Sequence, residues 1–211
     1  KGLNNRVPLI GFSGAPWTLL AYMVEGSGSK TFSKAKQFLY TQPELAHQTL
    51  QKIADSIINY LKGQVNAGAD MLQIFDSWAG VLSESMYYEF SLKYISKICD
   101  AISPLVPITV FAKDAHYALQ KIAETSCHTI GLDWTIDPKT ARTQTHGKTL
   151  QGNADPCLLY ASDEKIVNET EAMLRAFGKQ RYICNLGHGL YPDLEKEKVK
   201  LFVSTVKNFK G

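Results

Sequence analysis

Six short runs of apolar, largely β-branched residues recur along the chain, and most are followed by a stretch with apolar residues every three or four positions. The runs span residues 7–12, 71–75, 107–111, 129–132, 149–151 and 182–186. Runs of this length, bounded by turn residues, predict strands. Between the first two lies a long helical region. Thr41 with Glu44 predicts a capping box, and Pro43 suits a first helical turn. Leu45, Ile53, Ile57, Leu61 and Val65 then hold the helical period until Gly68. Further helices are predicted over about 83–102, 115–125, 162–177 and 193–209. The last alternates Lys and Glu around Leu194, Val199, Phe202, Val203 and Val206, which reads as a solvated helix face.

Strands that alternate with helices imply an α/β protein with a parallel sheet. Strands apolar throughout, such as Leu72-Gln-Ile-Phe75, suit a sheet covered on both faces or a barrel wall. Six strands fit either an open doubly wound sheet or about six of the eight strands of a (β/α)8 TIM barrel, which normally takes ~250 residues. No tandem repeat or low-complexity linker interrupts the 211 residues, so one domain is expected over 1–211.

Composition narrows the function. With 45% apolar residues and a net charge of +3, the chain is neither disordered nor strongly basic. Of its 23 basic residues 19 are Lys, so the Arg-rich face of a nucleic-acid binder is not evident. Residues 7–24 carry no charge, but Pro8, Gly11, Gly14 and Pro16 punctuate them, so a buried strand, a turn and a short helix are expected rather than a membrane span. Cys99, Cys127, Cys157 and Cys184 are widely spaced, with no Cys-x-x-Cys pair, which predicts reduced core thiols, no metal site and a cytoplasmic protein. His128 beside Cys127 reads as a structural neighbour.

In either architecture the reactive edge lies at the carboxyl ends of the strands. There the sequence places Ser13 and Gly14, Asp76 and Ser77, Lys113 and Asp114, Asp133, Asn153 and Asp155, and His188 between Gly187 and Gly189. A strand-end Asp often only caps the next helix, and His188 is either a turn histidine or a site residue. Gly26-Ser-Gly-Ser-Lys30-Thr31 lacks a Gly directly before Lys30 and a leading strand, so it reads as a loop rather than a phosphate cradle. Neither Gly-x-Gly-x-x-Gly after a strand nor Gly-x-Ser-x-Gly occurs.

The segment Gly11-Phe-Ser-Gly-Ala-Pro-Trp-Thr-Leu-Leu-Ala-Tyr-Met-Val-Glu-Gly26 resembles the signature of the uroporphyrinogen decarboxylase family. So do Leu72-Gln-Ile-Phe-Asp-Ser-Trp-Ala-Gly80, Phe111-Ala-Lys-Asp114, Gly131-Leu-Asp-Trp-Thr135, Leu150-Gln-Gly-Asn-Ala-Asp-Pro-Cys157 and Asn185-Leu-Gly-His-Gly-Leu-Tyr-Pro192, in family order. The resemblance implies a TIM-barrel lyase of haem biosynthesis. Such an enzyme removes carbon dioxide from the four acetate arms of uroporphyrinogen III to give coproporphyrinogen III, without cofactor or metal, as a cytosolic homodimer. A protonated pyrrole ring can accept the electrons that the departing carbon dioxide leaves behind, as an organic cofactor does elsewhere.

Carried over by position, the family's substrate-contacting Tyr falls on Tyr22, its Ser on Ser77 and its His on His188, with Phe12 and Gly14 in the cleft wall. The family's arginine-rich segment and its charge-stabilising Asp lie upstream of these blocks, so the resemblance covers the C-terminal part of the barrel. The four arginines, Arg6, Arg142, Arg175 and Arg181, fall at none of the predicted strand ends. Two expectations follow: the chain alone lacks appreciable decarboxylase activity, and an unclosed barrel edge pairs with another copy or with the upstream half, or forms nothing stable. A corrinoid or thiol methyltransferase would need His-x-Cys on a strand, and the run at 107–111 continues into Ala-Lys-Asp instead. A truncated barrel that binds a tetrapyrrole or a protein partner without turnover is the remaining alternative.

Overall fold

Apolar side chains at alternating depth and helical stripes of four-residue period organise the chain much as its pattern predicts. In a computed structural model that describes residues 6–211, strands β1 (Ile10–Gly14), β2 (Met71–Asp76), β3 (Ile108–Ala112), β4 (Thr129–Gly131), β5 (Thr149–Ala154) and β6 (Tyr182–Leu186) follow one another in chain order in a six-stranded sheet. Strands β1 and β2, β2 and β3, and β5 and β6 pair in parallel: Gly14 lies opposite Phe75, Asp76 opposite Ala112, and Asn153 opposite Asn185. Six strands in chain order, alternating with helices, make this an α/β fold of the TIM-barrel kind with an incomplete set of strands.

The chain divides into two compact units, one through Thr129 and one over Ile130–Gly211. In the first, β1 leads through Pro16 at the first helical turn into α1 (Pro16–Glu25), whose end is closed by Gly26 at φ 80° donating its N–H to the Tyr22 carbonyl at 2.9 Å. Helix α2 (Ser33–Thr41) precedes the long α3 (Pro43–Asn66), whose buried Ala46, Leu50, Ala54, Ile57 and Leu61 form a single stripe. After β2, α4 (Glu84–Tyr87) runs through a π-helical turn at Tyr88–Leu92 into α5 (Lys93–Ile102), which buries Tyr94, Ile95, Ile98, Cys99 and Ile102. A 3₁₀ turn at His116–Ala118 leads into α6 (Leu119–Ala123). The core of this unit holds Trp17, Leu50, Leu61, Leu72, Ile74 and Val110, all solvent-free.

The second unit contains α7 (Pro138–Gln144), capped by the Asp137 carboxylate, a 3₁₀ helix at Pro156–Tyr160, α8 (Asp163–Phe177), capped by the Ser162 hydroxyl, and α9 (Lys196–Asn208). Its core gathers Ala154, Leu159, Ile166 and Phe202. The Lys/Glu face of α9 makes a surface ion pair between Lys200 and Glu197, and Val203 is exposed rather than buried.

Several boundaries move. Strand β1 begins at Ile10, not residue 7, because the Leu9 N–H turns to the Asp70 carboxylate at 2.7 Å instead of entering the ladder. Strand β5 runs on to Ala154, three residues beyond the predicted end. The Thr41–Glu44 capping box does not form: Thr41 still belongs to α2, and its hydroxyl donates to the Gln37 carbonyl at 2.8 Å. The predicted helices at 83–102 and 115–125 are each broken, by the π turn and by the 3₁₀ turn. Strands β3 and β4 are buried along their whole length; β1 leaves Ile10 and Phe12 exposed, and β6 is half-buried. Among the cysteines, Cys99 and Cys127 are buried as expected, whereas Cys157 is exposed and Cys184 half-buried.

Candidate active site

In the first unit the end of β2 is tied to the first turns of α1. The Ala15 N–H donates to the Phe75 carbonyl at 2.8 Å, which starts α1 beside β2. One residue further, Asp76 is fully buried and accepts from the Thr18 hydroxyl at 2.6 Å and from the Ser91 hydroxyl at 2.5 Å. Thr18 in turn accepts the Trp78 N–H at 3.3 Å, and the Trp17 indole N–H donates to the Trp78 carbonyl at 3.0 Å. Burial pushes the Asp76 carboxyl up from 3.8 to about 6, against the opposing pull of the Ser91 and Thr18 hydroxyls.

Ser77 sits between those two anchored residues, partly exposed. Tyr22, one turn beyond Thr18 on α1 and 41% exposed, sets its ring edge-on to Trp78 (centroids 6.1 Å) and to Phe32 (5.9 Å). Phe12 is 61% exposed and meets Phe75 edge-on at 5.8 Å. Gly14 ends β1, where an added Cβ would lie 2.9 Å from a Leu19 methyl. Gly14 and Ser77 thus lie at the carboxyl ends of two adjacent strands, Phe12 lies midway along β1, and Tyr22 lies on α1, which follows β1. Hydroxyl side chains such as those of Tyr22 and Ser77 can donate to carboxylates, and aromatic rings such as Phe12 can cover a flat ring.

Other strand-end polar residues are engaged with one another or with nearby backbone. Lys113 and Asp114 pair with each other. In the second unit Asp133 accepts the Thr135 N–H at 2.9 Å and its hydroxyl at 2.6 Å. The Asn153 amide donates to the carbonyls of Asp133 and Ile136 at 3.0 and 2.8 Å, and Asp155 accepts the Cys157 N–H at 2.8 Å. His188 is exposed and meets the Trp134 ring edge-on at 6.5 Å. The two glycines beside it differ: a Cβ on Gly187 would come within 2.7 Å of the Trp134 backbone nitrogen, while Gly189 has open space. The guanidinium of Arg142 is spent on the carbonyls of Phe177 and Gln180, Arg175 pairs with Glu171, and Arg181 donates to the Gly147 carbonyl. Among the described residues no three His, Cys, Asp or Glu side chains gather as metal ligands, and no helix is long and apolar enough to cross a membrane.

Trp78, Thr18 and Ser91 escape the sequence reading. Trp78 lies within a motif that the sequence does single out, but nothing in the pattern shows that Thr18 and Ser91, far apart in the chain, meet on one carboxylate.

Parallel strands in chain order, with polar groups at their carboxyl ends, define a protein of the (β/α)8-barrel class. The solved structures agree at this level: a methyltransferase from Methanosarcina mazei superposes with a TM-score of 0.86 over all of this chain and 61% of its own, at 20% identity. A B12-independent methionine synthase from Shewanella sp. W3-18-1 gives a TM-score of 0.64 over 95% of this chain at 9% identity. Both likenesses concern the fold. The family model for uroporphyrinogen decarboxylase (URO-D) matches residues 1–209. The uroporphyrinogen decarboxylases of Danio rerio and Homo sapiens are each 50% identical, over 98% and 97% of this chain, and that of Christiangramia forsetii is 48% identical over 99%. The chain belongs to the uroporphyrinogen decarboxylase family. It spans 58 to 61% of the length of these relatives.

Proposed function

We propose that this chain takes part in the cofactor-free decarboxylation of uroporphyrinogen III to coproporphyrinogen III, as a cytoplasmic, homodimeric carboxy-lyase whose residues 1–211 act as one domain. The observation that carries this reading is that Tyr22, on α1, and Ser77, in the loop after β2, both adjoin Trp78, Tyr22 through its ring and Ser77 in sequence. In the reaction a proton adds to a pyrrole carbon, the bond to the carboxylate breaks, and its electrons neutralise the cationic ring. A proton then completes the methyl group, and loss of the added ring proton restores the pyrrole. Tyr22 and Ser77 donate to substrate carboxylates, Phe12 and Gly14 form the cleft wall, and His188 is a further polar contact. Orientation of these groups before reaction is the protein's contribution.

The 211 residues alone are expected to bind the tetrapyrrole with little turnover, because the family's charge-stabilising Asp lies upstream of the matched motifs. The test is carbon dioxide release and coproporphyrinogen formation from uroporphyrinogen III, with and without the upstream segment of a relative supplied separately. Tyr22→Phe with Ser77→Ala should weaken binding about tenfold or more, the scale of a lost hydrogen bond to a charged group. Normal turnover by the chain alone would overturn the upstream-Asp reading, and a chain that binds no tetrapyrrole would overturn the substrate.

A further inference from the structure

Ser77 is bracketed. The residue before it, Asp76, and the residue after it, Trp78, both engage the Thr18 hydroxyl, which donates to Asp76 at 2.6 Å and accepts from the Trp78 N–H at 3.3 Å. A second tie joins the Trp17 indole to the Trp78 carbonyl. Tyr22 follows Thr18 by four residues on α1, so the two share a helix face, and its ring rests on Trp78. One small network therefore anchors the segments that carry both candidate residues.

A carboxyl is an expensive choice for this place. Among the described residues no cation pairs with it, and its burial is tolerated because both oxygens are hydrogen-bonded. An apolar residue would fill the space but would leave the Thr18 hydroxyl free to rotate away from Trp78. The titratable groups facing Asp76 are Tyr87 from α4 and Tyr117 from the 3₁₀ turn. Burial first, and the Asp76 charge second, raise both phenols above their ordinary range, so both stay neutral. Tyr117 donates to the Leu82 carbonyl at 3.1 Å, whereas the Tyr87 hydroxyl is buried without a hydrogen-bond partner among the described residues.

We propose that Asp76 is a positioning residue: by fixing the Thr18 hydroxyl, it holds α1 and the loop after β2 in the relation at which Tyr22 and Ser77 face a tetrapyrrole together. This rests on the tetrapyrrole reading of the site. Asp76 itself touches no substrate.

The experiment measures uroporphyrin III affinity by porphyrin fluorescence in the 211-residue chain. Thr18→Val, nearly isosteric and expected to fold, and Asp76→Ala should each weaken affinity about tenfold. Asp76→Asn, whose Oδ1 can still accept from the Thr18 hydroxyl while its Nδ2 donates to the Ser91 oxygen, should recover most of that loss. On a Tyr22→Phe/Ser77→Ala background, Thr18→Val should change affinity less than about twofold, because the groups it positions are gone. A folded Thr18→Val variant with unchanged affinity, or an equal loss on both backgrounds, would overturn the proposal. If the wild-type chain binds no uroporphyrin, the functional reading fails and Asp76 is judged by amide exchange. Protection of the Trp78 N–H falling about tenfold in Thr18→Val and Asp76→Ala, but not in Ser77→Ala, upholds the positioning role, and unchanged protection sinks it.

Discussion

At the carboxyl end of β2, Asp76 draws its hydrogen-bond donors from residues 58 and 15 positions away. Just beyond β4, Asp133 binds the N–H and hydroxyl of Thr135, two residues on. Both carboxylates are buried, and both follow a strand. One knits a helix, a π turn and a loop together; the other shapes a local turn, with Asn153 clamping the carbonyls around it. An acidic residue after a parallel strand is thus an ambiguous signal. Its meaning depends on whether its partners are neighbours in sequence, where it makes a turn, or in space, where it can govern the placement of other side chains.

The sharpest way to test this contrast is by pH. Burial lifts Asp76 from 3.8 to about 6, so the folded protein holds a proton that the unfolded chain has already released between those values. The stability this supplies is complete below about pH 4 and is lost as pH rises through about 6, on the order of 3 kcal/mol in all. Urea denaturation of the wild type should show that decline, and Asp76→Asn should flatten it. A wild-type profile without the decline would break the comparison.

In the second unit the largest effect is expected from backbone proximity instead of charge. Gly187→Ala puts a methyl 2.7 Å from the Trp134 nitrogen, a backbone atom that cannot swing aside, and should destabilise by about 2 kcal/mol in the same assay. Gly189→Ala, in open space, should stay within about 0.5 kcal/mol of wild type. Equal losses at the two positions would remove the assigned cause. The smallest effect should come from the local turn: Thr135→Val deletes one hydroxyl from Asp133 and should cost about 1 kcal/mol. It should leave uroporphyrin affinity unmoved, where Thr18→Val weakens it.

The strands and long helices are legible in sequence because burial imposes a period, as in the stripe from Ala46 to Leu61. Boundaries are less so. Thr41 and Glu44 have the right spacing for a capping box, yet α2 extends through Thr41 and takes its hydroxyl. The short α7 and the 3₁₀ helix at Pro156–Tyr160 are too brief to show a period, although Asp137-Pro138 and Asp155-Pro156 carry their starting signals. Within the site, family resemblance picks out Tyr22, Ser77, Phe12 and Gly14, which the first unit gathers on β1, α1 and the adjoining loop. The Asp76–Thr18–Trp78 network stays invisible because no periodicity encodes a contact 58 residues long.

Ser91 reaches Asp76 from the π turn at Tyr88–Leu92. Such a turn amounts to one extra residue lodged in an α-helix. Upstream, Met86 and Tyr87 face inward; downstream, Tyr94, Ile95 and Ile98 do the same, one residue out of phase with a regular helix. Removing a single residue between 88 and 92 would restore a regular helix and keep both inward faces in phase, whereas removing one from the α-helical turns on either side would rotate one half by about 100° and turn buried residues toward water. The extra residue thus sets where Ser91 meets Asp76 while the packing faces before and after it stay aligned.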